Sequence, residues 1–155
     1  MAANSVEGVD VRGARGCAAF NLRKTARVVT QLYDDALRDG GLRSTQFTIL
    51  MAIARSEEPT VGMLAELTMM DSTTMTRNLR LMAAEGLVEI AARGARRAKI
   101  VALSPKGARL LARAVPLWRA AQARFETAFG VRRWSELRRE LESVAAVALQ
   151  SAQPV

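Results

Sequence analysis

The chain has 155 residues, half of them apolar and a quarter charged, which is the composition of one folded domain and excludes a disordered tail. It holds no histidine and a single cysteine, Cys17, so it lacks the commonest general base and metal ligand, and it can form neither an internal disulfide nor a thiolate zinc cluster. Its 23 Lys and Arg against 15 Asp and Glu leave a formal charge of +8, which suits a polyanionic partner, and no apolar run is long enough to span a membrane.

Taken in chain order, "MAANSVEGVDVRG" has acids and no hydrophobic centre, so residues 1–16 read as a leader and not as a signal peptide. From about Phe20 to Asp39, Leu22, Ala26, Val29, Leu32, Tyr33 and Ala36 recur at helical spacing, and "DGG" stops the helix. Ser44 is a plausible N-cap for a second helix running to about Ser56, which "EEPT" breaks. Thr60 caps a short third helix, "VGMLAELT". Asp71 caps a fourth, which ends at Gly86. The period then changes. "LVEIAA" and "KIVAL" read as two strands joined by the basic turn "RGARRA". Ser104 and Pro105 open a long helix to about Phe129, with Pro116 inside it as a predicted kink. A last helix, about Arg132 to Gln150, carries Trp134, Leu137, Leu141, Val144, Ala145 and Leu149 on one face.

The order α-α-α-α-β-β-α-α predicts a mainly α winged helix-turn-helix. Residues 44–103 form the helix-turn-helix and hairpin wing, while 17–43 and 104–155 form a helical dimerisation region. Those outer helices have little else to pack on, which predicts a homodimer; the alternative is a monomeric bundle in which the two ends cover each other.

The fourth helix is unusual in composition. Met75, Leu79 and Met82 make one stripe, while Ser72, Thr73, Thr74 and Thr76 supply hydroxyls beside Arg77 and Arg80. Such residues are poor helix formers, but short side chains let a helix N-terminus approach a duplex and Arg bonds guanine edges. A solvated, threonine-rich face is the plain alternative. The short helix before it and the basic hairpin after it favour double-stranded DNA as the partner. No acidic residue lies between Glu89 and Glu126, so Arg93, Arg96 and Arg97 stand in a purely cationic stretch.

Together "LRSTQFTILMAIA", "TVGMLAELTMMDSTTMTRNLRLMAAEGLVE" and "RRAKIVALSPKG" resemble the winged helix of MarR-type bacterial transcription regulators, over about residues 17–130. The resemblance implies a homodimer joined through its first, fifth and sixth helices and bound to a pseudo-palindromic operator. It implies, most often, repression relieved by a small aromatic or acidic effector. It makes the helix opening at Ser72 the recognition helix, Arg77 the arginine of its "TR", and Arg97 the wing arginine. Two positions depart from the family pattern. Ala95 stands where an Asp commonly braces the wing arginine, and Met69 stands where the turn often holds a Gly or small residue.

The same resemblance frames two sensing alternatives. A peroxide-sensing branch uses a cysteine just before an aromatic of the first helix, whereas Cys17 here lies two residues earlier relative to Phe20. A structural thiol is the preferred reading of Cys17, with redox sensing as its rival. Another branch binds aromatic acids between the dimerisation helices and the winged helix. Phe20, Tyr33, Phe47 and Trp118, with Met51, Met69 and Met70 as adaptable neighbours, are candidates for such a pocket, and Arg23 or Arg43 for its carboxylate partner. Core packing is the alternative for each aromatic taken alone. No catalytic set, metal or cofactor is expected: the acidic pairs Asp34–Asp35 and Glu57–Glu58 are adjacent and diverge or sit in a turn. A helical scaffold leaves the basic hairpin unexplained. The expected compartment is the reducing cytoplasm.

Overall fold

The structure, a computed structural model, describes residues 15–93 and 98–151, apart from the side chains of Arg93 and Ala98. Among these residues six α-helices and a two-stranded sheet follow in the expected order, with a 3-10 turn (Arg38–Gly40) after the first helix. They are α1 (Ala18–Leu37), α2 (Ser44–Ala54), α3 (Val61–Leu67), α4 (Ser72–Ala84), β1 (Val88–Arg93), β2 (Ala98–Leu103), α5 (Pro105–Phe129) and α6 (Val131–Ser151). The predicted leader, residues 1–16, lies almost entirely outside the described residues. Among the described residues no helix is long and apolar enough to cross a membrane.

Most helix ends follow local chemistry. The Thr60 side chain accepts from Met63 N at 3.2 Å and Asp71 Oδ1 accepts from Thr74 N at 2.8 Å, each satisfying an N–H that the helix leaves unpaired. At the other end of α4, Gly86 takes φ +72°. Its N–H reaches Ala83 O and that of Leu87 reaches Met82 O, which closes the helix. Ser44 departs from expectation. It is the first residue of α2, and the cap is Arg43, whose backbone N–H donates to Gln46 Oε1 at 3.0 Å. Ser44 N instead donates to Asp34 Oδ1 at 2.6 Å, tying α2 to α1.

One core unites the predicted halves. Leu37 of α1, Leu111 and Ala114 of α5, and Ile49, Leu50, Leu64, Met75, Leu79, Met82 and Val101 of the central elements share a single buried cluster. The wing strands pair antiparallel from Val88↔Leu103 to Arg93↔Ala98, and Val88 and Val101 anchor their inner end in that core. The segment read from sequence as a breaker, with Thr60 as a helix cap, also adds to the sheet: Pro59 O accepts from Val101 N at 2.9 Å and Thr60 bridges Ile100.

The outer helices are covered unequally. In α1, Val29, Tyr33, Ala36 and Leu37 turn inward, while Phe20, Leu22 and Leu32 of the same amphipathic helix are exposed. α5 is continuous through Pro116. α6 meets it at an aromatic corner, where Phe125 stands edge-on to Trp134 at 5.2 Å and Arg133 lies over the Phe129 ring at 4.6 Å. Beyond that corner α6 buries no residue at all.

Met69, in the turn between α3 and α4, carries φ +53°, a left-handed conformation that costs a side-chain-bearing residue energy. Met69→Gly is therefore expected to raise stability by about 1 kcal/mol, read as a higher thermal midpoint.

Candidate nucleic-acid interface

The α4 helix is fixed through one face and open on the other. Met75, Leu79 and Met82 are at most 2% exposed, so the rotation of the helix about its axis is set by the core. That rotation leaves Ser72, Thr73, Arg77 and Arg80 exposed and Thr76 half-buried at the edge of the same face. Thr74 is half-buried, with its N–H on the Asp71 cap. The structure thus brings together the hydroxyl and arginine residues singled out on this helix. Arg96 and Arg97 lie outside the described residues, as does the side chain of Arg93.

Hydrogen bonds from the Thr74 side chain and then its backbone N–H hold the Asp71 carboxyl below its ordinary value of 3.8. A depressed carboxylate stabilises the fold above its unfolded pKa, and the contribution disappears as pH falls through the folded value. Thermal midpoints should therefore fall on acidification below about pH 4, and an Asp71→Ala chain should show a shallower fall across that window.

Sequence reasoning counts Lys99 in the cationic stretch between Glu89 and Glu126 but does not name it among the DNA contacts. It lies exposed on β2 and, with Thr60, Ile90, Thr76 and Arg80, lines a cleft of about 590 Å³ between the α4 face and the wing. Arg80 and Lys99 place positive charge on both walls. The signal was present in "RRAKIV", where Lys99 is the cation that opens the apolar run of the second strand.

The predicted effector residues are only partly brought together. Phe47, Met51, Met70 and Trp118 line one cleft of about 420 Å³, with Val29, Tyr33, Leu37 and the hydroxyl-bearing residues Thr30, Ser44, Thr45 and Thr48. Phe47 and Trp118 stack at 5.8 Å. Tyr33 donates to Gln122 Oε1, and burial first, then the Glu126 charge, raises its phenol above the usual range, so it stays a donor. Phe20 and Arg23 lie elsewhere, lining a separate cleft of about 500 Å³ with Cys17, Lys24 and Arg27 at the start of α1. Phe20 precedes Val29 by about 13 Å of helix, too far to reach the cleft. Arg43 lines a separate polar cleft with Asp34, Arg38, Gln46 and Glu85. Met69 points to solvent at 73% exposure because its left-handed backbone turns it outward. Among the described residues no cation lines the aromatic cleft, so neither Arg23 nor Arg43 faces a carboxylate held there. Met70 does join cleft to helix: its sulfur accepts from Asn78 Nδ2 of α4 at 3.9 Å.

A profile described as MarR family matches residues 40–98. Among solved structures, the M. tuberculosis transcriptional regulator MosR in complex with DNA is 38% identical at a TM-score of 0.81, over 88% of this chain and 99% of that one. The transcriptional repressor CouR bound to a 23-mer DNA duplex is 19% identical at a TM-score of 0.75, over 88% of this chain and 98% of that one. CouR from Rhodococcus jostii RHA1 bound to p-coumaroyl-CoA is 21% identical at 0.70, over 86% and 95%. These last two are likenesses of fold. No curated protein matches the sequence.

Proposed function

The chain belongs to the MarR family of DNA-binding transcription regulators, and from that premise we propose that it is a homodimeric repressor reading a pseudo-palindromic operator. Residues 44–103 act as the DNA-binding unit, with α4 in the major groove. Thr73, Thr76, Arg77 and Arg80 face base edges and phosphates, and Arg93, Arg96 and Arg97 of the wing follow the flanking backbone. The observation that carries this reading is the fixed rotation of α4: its whole stripe is buried and its hydroxyl-arginine face is left open.

Residues 17–43 and 104–155 form the dimerisation region. Support comes from the exposed apolar residues of the first half of α1 and from α6, whose Leu137, Leu141 and Val144 remain more than one-third exposed. The monomeric-bundle alternative needs those faces to cover each other, and α6 buries nothing. The site of action is the cytoplasm.

The cleft around Phe47 and Trp118 takes the effector. Its size lies within the range of small-molecule sites, and its aromatic walls with a hydroxyl rim suit a flat aromatic compound whose charged part, where it has one, stays at the mouth. A ligand favouring the non-binding arrangement by about 1 to 3 kcal/mol changes occupancy severalfold to a hundredfold. One observation favours a second reading, in which oxidation of Cys17 takes the effector's place: its thiol is exposed.

Selection of duplexes from a random pool, followed by sedimentation of the complexes, tests the proposal. Recovery of spaced palindromes bound two chains to one duplex, with affinity falling steeply with salt, is the expected result. Sequence-indifferent binding by single chains overturns it. Release of that complex by aromatic acids or thioesters, against release by peroxide that Cys17→Ser abolishes, separates the two sensing readings.

A further inference from the structure

A helix ends with carbonyls that have no partner within it, and α4 ends in an uncommon way. Glu85 O accepts from Lys106 Nζ at 2.7 Å, Gly86 O from Ser104 Oγ at 2.6 Å, and Leu87 O from Ser104 N at 3.1 Å. Glu85 is the C-cap of α4, so its carbonyl is one the helix leaves open and the Lys106 ammonium takes it, while Gly86 O and Leu87 O, in the link to β1, are held by Ser104. On the other side, the Glu85 carboxylate accepts from Gln46 Nε2 of α2 at 2.8 Å.

These bonds differ in what else they do. Ser104 is buried and also caps α5, accepting from Gly107 N at 2.9 Å, so its loss damages the fold. Lys106 is exposed, and its ammonium donates from the first turn of α5 to the C-cap carbonyl of α4. A cation there also complements the negative end of the helix dipole.

We propose that Lys106 is a positioning residue for DNA recognition, its ammonium setting the tilt of α4 on α5 and so the half-site spacing that the protein accepts. This rests on the dimeric reading given above. α4 is about 20 Å long and is clasped at the end away from its hydroxyl-rich reading turn. A tilt of about 5° at the clasp therefore moves the reading end by about 2 Å, comparable to the ~3.4 Å rise of one base pair. A stiff clasp makes a wrongly spaced operator costly, and a loose one lets α4 adjust.

The test uses palindromes that the wild-type protein selects from a random pool, respaced by adding or removing one base pair between half-sites. Dissociation constants are measured for wild type, Lys106→Met and Lys106→Arg, with thermal midpoints of the free proteins alongside. The expected result is that the preference for native spacing shrinks about fivefold in Lys106→Met and returns in Lys106→Arg, which can donate to the same carbonyl. Equal weakening at every spacing, as a loss of stability alone gives, overturns the inference, and so does an unchanged spacing profile. If the wild type selects no spaced palindrome, the dimeric reading fails and this inference with it. If it does and Lys106→Met keeps its profile, only the inference about Lys106 fails.

Discussion

Gly107→Ala is expected to lower stability by about 3 kcal/mol, seen as a thermal midpoint roughly 10 °C below wild type. A Cβ at this position in α5 meets Leu87 O at 2.0 Å and Leu87 C at 2.9 Å. Both are backbone atoms, so no rotamer change relieves the clash; either α5 or the chain entering β1 must move. Leu87 and Val88 are buried there and Ser104 bonds both Gly86 and Gly107, so movement breaks core contacts and hydrogen bonds together. Gly62 is the control. A Cβ at Gly62 meets only Thr60 Oγ1, at 3.9 Å, and Gly62→Ala in α3 should be neutral or slightly stabilising. A Gly107→Ala protein melting with the wild type would show that the approach of α5 to Leu87 relaxes freely.

Arg77→Ala is expected to cost about 1 to 3 kcal/mol of operator affinity, roughly tenfold to a hundredfold, while leaving the thermal midpoint in place. The side chain is exposed on the open face of α4, one turn from Thr73, so its removal opens no cavity. Binding isotherms against the selected operator and its single-base variants check the prediction. Preference should flatten at one base position in each half-site. A loss of equal size on every duplex, with a shallower salt dependence, would reassign Arg77 from base edge to phosphate.

What the sequence disclosed and what it hid divide along physical lines. Thr60, Asp71, Gly86 and Ser104–Pro105 were legible as helix ends because capping is chemistry between residues two to five apart. Ser44 was misassigned because Gln46 caps Arg43 through its side chain and frees Ser44 to bond Asp34 on another helix. The α1 period identified an apolar stripe but not which part of it the same chain covers: Leu32 is exposed while Val29 and Tyr33 are not. The outward face of α4 was readable because a buried stripe dictates its opposite. The aromatic cleft was only half readable. Phe47, Met51, Met70 and Trp118 meet through tertiary packing, and nothing local distinguished them from Phe20 or Met69. The clasp on Glu85, Gly86 and Leu87 had no sequence signature, since its acceptors are backbone carbonyls.

The uncovered length of α6, Val131–Ser151, has a consequence for dosage. In the homodimer proposed above, the part of α6 beyond its aromatic corner with α5 is covered by the partner chain, so its ordering and association are coupled by mass action. The thermal midpoint should then climb as protein is added. Below the dissociation constant of the pair, halving the supply of chains cuts the DNA-competent species about fourfold, because that species scales with the square of the monomer. In the proposed dimer, copy number thereby becomes an input to the regulator in its own right, acting without any ligand.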